Sequence, residues 1–210
     1  MDMFVSRPQP ITKSSVTASD RLANATREQR KDREFVLRCV SKSWQAMQAA
    51  DDSLKEDKKF VMQVVAEKPL ALQFASEALR GDKEVVIAAV QRDWRCLPAA
   101  SKEMRADAAV IGVAVMQDGA AFQYASDALR GDKAVALAAC QKNGYALQFA
   151  RSNLCRDPDV VMAAVQQNGR ALQFADPELR RSKEFVLDCA KVTPGLTPDW
   201  IPNSHPCSLS

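Results

Sequence analysis

Histidine, glycine and long apolar runs are all scarce in this chain of 210 residues, which holds one histidine and seven glycines. A Ser–His or Cys–His nucleophile would have to use His205, whose nearest thiol in sequence is Cys207. We interpret both as parts of a solvated tail, because two side chains are too few for a tetrahedral metal site. The sequence contains no Walker loop, dinucleotide-binding glycine motif or HExxH zinc motif. We therefore expect no catalysis, no cofactor and no metal.

A strong excess of either charge is also lacking. The 29 Lys and Arg residues against 26 Asp and Glu leave a net charge of only +3. Residues 1–31 hold six basic and three acidic side chains, whereas residues 32–181 hold 21 basic and 20 acidic ones. A nearly neutral body is a poor electrostatic match for a phosphate backbone, so nucleic acid is not the expected partner.

The sequence offers no sign of a membrane span or of a secreted disulfide scaffold. No apolar run approaches the ~20 residues that a transmembrane helix needs, and the first residues show no apolar leader. None of the six cysteines forms a CxxC pair, and most occupy positions that hold Ala or Val elsewhere in the chain. We therefore expect reduced thiols in an intracellular compartment, the cytoplasm or an organelle interior.

What the sequence does contain is a repeat of 25 residues. Six blocks follow one another without a gap, and a partial seventh starts at Ser182. The blocks span residues 32–56, 57–81, 82–106, 107–131, 132–156 and 157–181. We number these repeats 1 to 6 and the positions within each of them as slots 1 to 25.

The slots predict the local structure of one repeat. Slot 1 is Asp in all six repeats and Ser182 in the seventh, and both residue types are good helix N-caps. Apolar residues in slots 4, 5, 8 and 9 predict a helix of about ten residues. Glycine in slot 13, as in Asp118-Gly119 and Asn143-Gly144, predicts a left-handed helix stop. A shorter second helix over slots 14–19, a second cap at slot 20 and a short third turn to slot 23 complete the prediction.

One such unit cannot bury its apolar face alone, whereas stacked neighbours can. The expected fold is therefore all-α: an α-solenoid of six to seven two-helix repeats with extended N- and C-terminal arms. We expect an N-terminal arm and capping helix over residues 1–31, the solenoid over 32–193, and a Pro-rich tail over 194–210.

The side-chain volumes in slots 13 and 18 compensate each other. Where slot 13 is Trp44 or Trp94, slot 18 is alanine, and where slot 13 is Gly or Pro, slot 18 is aromatic. Because cores keep their total volume nearly constant, we predict that the two slots of one repeat share one pocket.

Taken together, the repeats resemble the DUF4116 family. That family's pattern, with an initial Asp, a central Asn-Gly and the run ALQ-[FY]-A, is matched over residues 132–156 and 157–181. The resemblance extends from residue 32 to about 190. It implies a helical repeat and no assigned function. The chain departs from the pattern at Trp44, Trp94, Pro98 and Cys155.

Two polar rows are the candidate interaction residues. Slot 17 is glutamine in five repeats: Gln48, Gln73, Gln123, Gln148 and Gln173. Slot 24 is basic in five repeats, as Lys55 and then Arg80, Arg105, Arg130 and Arg180. The glutamines could grip an extended peptide or a base edge, but we favour amides that cap the loop of their own or the next repeat. We likewise favour arginines that pair with the slot-1 acids or with helix C-terminal carbonyls.

These observations lead to one expectation with two alternatives. We expect a non-catalytic scaffold or structural subunit that binds a protein partner through the solenoid face and the terminal arms. A sequence-specific RNA-binding repeat is the first alternative, because slot 14 varies between repeats. An effector or enzyme-associated module is the second.

Overall fold

The computed structural model of the chain describes residues 17–193, and that part of the chain is entirely helical. The predicted N-terminal arm, the Pro-rich tail, His205 and Cys207 lie outside the described residues. Two short helices, Ala18–Ala23 and Arg27–Lys31, precede repeat 1. The all-α fold and the regular repetition predicted from the sequence are both confirmed.

Each repeat contains three helices, of which the middle one is a 3₁₀-helix. The long α-helices are Arg33–Lys42, Lys58–Glu67, Lys83–Arg92, Ala108–Gln117, Lys133–Lys142, Pro158–Gln167 and, after repeat 6, Lys183–Val192. The 3₁₀-helices are Trp44–Ala49, Pro69–Phe74, Trp94–Ala99, Gly119–Tyr124, Gly144–Phe149 and Gly169–Phe174. The short α-helices are Asp52–Lys55, Glu77–Arg80, Lys102–Arg105, Asp127–Arg130, Ser152–Cys155 and Pro177–Arg181.

The slot-1 residues cap the long helices as predicted. In repeat 3, for example, Asp82 accepts hydrogen bonds from the backbone N–H groups of Glu84 and Val85 at 3.0 and 3.2 Å. All six aspartates and Ser182 act in this way. Slot 20 caps the short helix in five repeats, and only Arg151 lacks a capping side-chain bond among these positions.

The predicted left-handed stop at slot 13 is wrong. The long helix instead ends at an extended residue in slot 12, such as Asp118 with φ −152° and ψ 126°, and the Asp118 side chain then caps the 3₁₀-helix by accepting from Ala120 N at 2.8 Å. Gly119 is needed for space rather than for its backbone angles. A Cβ at this position would meet the carbonyl oxygen of Ala139 and would lie 2.9 Å from Asn143, both in the next repeat.

Neighbouring repeats bury one continuous core. Each long helix packs against the next long helix and each 3₁₀-helix against the next 3₁₀-helix. In repeat 3 the apolar residues Val85, Val86, Ala89 and Val90 are all completely buried. Between residues 17 and 193, no polar or charged residue is buried as a whole. Stability therefore comes from apolar contacts between adjacent units, as in other repeat arrays.

The aromatic slots contact each other across the repeat boundary. The Trp44 ring stacks on Phe74 of the next repeat with centroids 5.8 Å apart, and Trp94 lies 6.2 Å from Tyr124. Slots 13 and 18 of one repeat therefore face opposite neighbours. The expected pocket within one repeat is corrected to a pocket shared between two.

An incomplete repeat, not recognised in the sequence, precedes repeat 1. Counted backwards from slot 1, Leu22 occupies slot 16, Ala25 slot 19, Thr26 slot 20 and Arg30 slot 24. Leu22 is completely buried and Thr26 caps its helix, as their counterparts do in the later repeats. The array thus begins within the segment predicted as a capping helix, and its first unit shields the apolar side of repeat 1.

Candidate functional site

The slot-24 residues lie at the junctions between repeats because their backbone carbonyls join neighbouring units. The N–H of each slot-20 residue donates to the slot-24 carbonyl of the preceding repeat, for example Ser101 N to Arg80 O at 2.9 Å and Ser126 N to Arg105 O at 2.9 Å. The same bond recurs from Asp51 to Asp176. This series of backbone hydrogen bonds places the main chain of the slot-24 residue in the same position at every junction.

The side chains of the arginine row do not pair as predicted. The slot-1 acids bind the slot-2 base of the preceding repeat instead. Lys58 Nζ lies 2.9 Å from Asp82 Oδ2, and Lys83 Nζ lies 2.7 Å from Asp107 Oδ2. Arg33 pairs with Asp57, and Lys133 with Asp157, in the same way. These pairs are largely solvent-exposed, so each contributes little to stability.

The arginines of slot 24 are held with their Nε atoms buried. In Arg80, Arg105, Arg130 and Arg180 this Nε has no hydrogen-bond partner among residues 17–193. Arg130 pairs with Asp127 of its own turn. Arg80 and Arg105 form no ion pair within the described part of the chain. Their charges are therefore available to a ligand.

Arg30, the slot-24 residue of the incomplete repeat, shows what this arginine does when it binds helix carbonyls instead of a ligand. Arg30 donates from Nε to Ala25 O at 3.1 Å and from Nη2 to Ala23 O at 2.7 Å. This is the expected pairing with carbonyls near the end of a helix. Among the arginines that occupy slot 24, only Arg30 makes these two bonds within the described residues.

The glutamine row lies on the surface. Gln48, Gln73, Gln148 and Gln173 are exposed and Gln123 is half-buried. Gln73 Nε2 donates to Leu70 O at 3.1 Å, and Gln123 makes the same bond to Ala120 O. In these two repeats the amide braces its own 3₁₀-helix, in the way that the structural interpretation of the row predicts. In Gln73 the amide oxygen accepts no hydrogen bond from residues 17–193 and is free for a ligand.

Two clefts show that the glutamine and basic rows share one surface, which we call the Gln/Arg face. A cleft of about 570 Å³ lies between the incomplete repeat and repeat 1 and is lined by Arg30, Gln48 and Lys55 among others. A cleft of about 280 Å³ lies between repeats 2 and 3 and is lined by Gln73 and Arg80 among others. Slot 17 and slot 24 side chains therefore meet at these two junctions.

Sequence reasoning missed several residues of this face. Leu70 and Arg95 of slot 14, Pro98 of slot 17 and Ala99 of slot 18 line the second cleft. Pro98 and the alanine beside it are departures from the repeat pattern, and these departures were the available signal. Arg30 was missed because the incomplete repeat was not recognised.

Thiol chemistry is not favoured on this structure. Cys39, Cys96, Cys140 and Cys189 are buried, as small apolar residues would be. Burial raises the pKa of Cys140 to about 12 and also raises that of Cys155, which is half-buried rather than exposed. The Cys155 Sγ lies 3.8 Å from Leu147 O. Neither side chain is a thiolate at neutral pH, so neither is an activated nucleophile.

Two further findings concern residues 17–193 alone. The structure brings together no group of three or more His, Cys, Asp or Glu side chains that could hold a metal ion. None of the described helices has the length and apolar character that crossing a membrane requires.

Comparison with known proteins identifies a family. The family model described as "Domain of unknown function (DUF4116)" matches residues 32–71, 57–105, 113–155 and 157–196. The matched ranges cover well over half of the chain. No curated protein and no solved structure matches it.

Proposed function

We propose that this chain, which belongs to the DUF4116 family, is a non-catalytic scaffold that binds an extended segment of a partner protein along its Gln/Arg face. The observation that supports the proposal is the meeting of slot 17 amides and basic slot 24 side chains at two of the repeat junctions. Amides with a free oxygen suit the N–H groups of an extended backbone, and guanidinium groups suit carboxylates.

The regular pitch of the array matches such a ligand. Repeats 1, 2, 4 and 6 each carry a glutamine in slot 17 and a basic residue in slot 24, so these repeats present a similar pair of groups to successive parts of one strand. Gln73 keeps its place through the bond to Leu70 O while its oxygen stays free, which lowers the entropy cost of binding.

RNA is the alternative ligand, because slot 14 varies from repeat to repeat and includes Arg95 and Arg170. Against it stands the balance of 21 basic and 20 acidic side chains over residues 32–181. Arg95 is also already neutralised by Asp93, since two of its nitrogens bond the carboxylate at 2.8–3.1 Å. We therefore favour protein as the partner. We place the interaction inside the cell, since the five cysteines between residues 17 and 193 are all free.

A photocrosslinking experiment tests the proposal. A photoreactive amino acid is introduced at Gln73 or at Gln148, and the variants are irradiated in the cells that express the protein. Gln141, an exposed glutamine on the long helix of repeat 5, is the matched control position. Adducts are then separated and identified by mass spectrometry.

We expect both face positions to capture the same protein, because both contact one extended segment, and we expect Gln141 not to capture it. Adducts to RNA at Gln73 and Gln148 would refute the protein proposal and support the alternative. Equal capture at Gln141 would show that the Gln/Arg face has no special role.

A further inference from the structure

The cleft between repeats 2 and 3 differs in composition from the rest of the Gln/Arg face. It is lined by Leu70, Gln73, Arg80, Arg95, Cys96, Pro98 and Ala99. Leucine, cysteine, proline and alanine form an apolar floor, and the two arginines and the glutamine supply the polar groups. A small apolar site with a few convergent polar groups is the usual form of a binding pocket.

The cleft is open because an aromatic ring is missing. Slot 18 carries a half-buried ring in four repeats, as Phe74, Tyr124, Phe149 and Phe174. In repeat 3 the same slot is Ala99, which leaves about 280 Å³ between the repeats. This volume is below the roughly 300–1,000 Å³ of small-molecule pockets, so it suits one large side chain better than a cofactor.

The charge at the cleft is unbalanced. Arg95 is neutralised by Asp93, but Arg80 forms no ion pair with any residue from 17 to 193. Its Nε is buried, as in Arg105, Arg130 and Arg180, so a ligand can reach only the terminal nitrogens of the guanidinium. A carboxylate is the anion that pairs best with those nitrogens.

We propose that this cleft binds a single aromatic side chain of the partner protein, with an acidic residue beside it in the partner sequence that pairs with Arg80. The aromatic ring takes the place that slot 18 fills at other junctions and packs on Leu70 and Pro98. The inference rests on the proposed function, because it treats the cleft as the anchoring point of the extended segment on the Gln/Arg face.

A base of single-stranded RNA could also stack in an apolar cleft beside an arginine. The peptide is favoured because only one guanidinium at this site lacks a counter-charge among the described residues, whereas a nucleic acid brings a phosphate for each base. The Asp93 carboxylate would oppose those phosphates.

The test uses ¹⁵N-labelled full-length protein and a synthetic blocked peptide, Gly-Ser-Glu-Phe-Glu-Ser-Gly. Binding is followed by NMR chemical-shift changes during titration. Peptides with Glu-Ala-Glu or Lys-Phe-Lys at the centre, and a ten-nucleotide uridine RNA, are titrated in parallel. The protein variants are Ala99→Phe, Arg80→Gln and, as a matched control, Arg92→Gln.

We expect the Glu-Phe-Glu peptide to shift the signals of Gln73, Arg80 and Arg95. Ala99→Phe fills the cleft with the ring that other repeats carry, so it keeps the fold, as circular dichroism will show, and abolishes binding. Arg80→Gln weakens binding about tenfold, since a charge-assisted hydrogen bond is lost. Arg92→Gln has no effect, because Arg92 is exposed on the long helix of repeat 3 and does not line the cleft. The three other probes do not bind.

The proposal is overturned if Ala99→Phe binds the peptide as the unaltered protein does, if Arg80→Gln has no effect, or if the RNA binds and the peptide does not. If the peptide does not bind but Gln73 still crosslinks to a protein, the aromatic anchor is refuted and the proposed function is not. If Gln73 and Gln148 capture no protein that Gln141 does not also capture, the proposed function itself is refuted.

Discussion

Replacing Gly119 by alanine tests whether the repeats are as closely packed as the structure shows. The added Cβ would meet the carbonyl oxygen of Ala139 and two atoms of Asn143, each 2.9 Å away. Two of these three atoms belong to the backbone of the next repeat, so they cannot rotate aside. Overpacking of this kind costs about 1–3 kcal/mol. We expect about 2 kcal/mol for Gly119→Ala, which lowers the Tm of a chain of this size by roughly 4–8 °C.

Gly112, in the long helix of the same repeat, is the matched control. A Cβ there has no atom within 4 Å, and alanine is the better helix former by roughly 0.5–1 kcal/mol. We therefore expect Gly112→Ala to raise the Tm slightly while Gly119→Ala lowers it. Both are measured by thermal unfolding followed by circular dichroism. If Gly119→Ala is as stable as Gly112→Ala, repeats 4 and 5 do not approach each other as closely as the structure shows.

Three further predictions concern a cap, a thiol and the core. Asp82→Ala removes two capping bonds and the pair with Lys58, and should cost about 1 kcal/mol at pH 7 in urea unfolding. The hydrogen bond from Lys58 lowers the pKa of Asp82 below its ordinary value of 3.8, so this stabilisation is present above pH 3.8 and is lost as the pH falls through the lower native pKa. A cost of Asp82→Ala that does not shrink as the pH falls below 3.8 would contradict this. In a Cys207→Ser background, native Cys155 should react with a thiol probe more slowly at pH 7 than in the unfolded chain, because burial raises its pKa, and rapid native labelling would refute this. Leu147→Ala should cost about 2–5 kcal/mol, since the side chain is completely buried; a loss under 1 kcal/mol in urea unfolding would refute the packing.

Local capping and periodicity could be predicted from the sequence because both depend on short-range chemistry. The aspartates of slot 1 stand directly before apolar residues at helical spacing, and the structure confirms their role. The function of Gly119 could not be predicted in this way. Asn-Gly and Asp-Gly pairs are typical of left-handed stops, and only the position of the next repeat reveals that the glycine provides space. The 3₁₀ form of the middle helix also has no clear sequence signal.

The candidate site was predictable in part. The repeat gave the glutamine and basic rows directly, and the structure places them on one face. The ion pairing of Asp82 and its counterparts was predicted wrongly. In sequence, the nearest base in the preceding repeat is the slot-24 residue, but in the folded array the slot-2 base of that repeat lies next to the aspartate. The cleft at Ala99 could not be predicted, because it forms where slot 18 lacks an aromatic ring. The space that this leaves becomes visible only when repeats 2 and 3 are stacked.

Excision of one complete repeat tests the central claim most directly, namely that the array consists of equivalent units that contact only their neighbours. Deleting residues 107–131 places repeat 5 directly after repeat 3, with Lys83 facing Asp132 and Trp94 facing Phe149. We predict that this shortened protein keeps the same helicity per residue and unfolds cooperatively. Deleting residues 107–118 alone removes a long helix and breaks the register, and should leave a protein that does not fold fully. If removing the whole repeat is as disruptive as removing its first half, the repeats are not interchangeable units and the account is wrong.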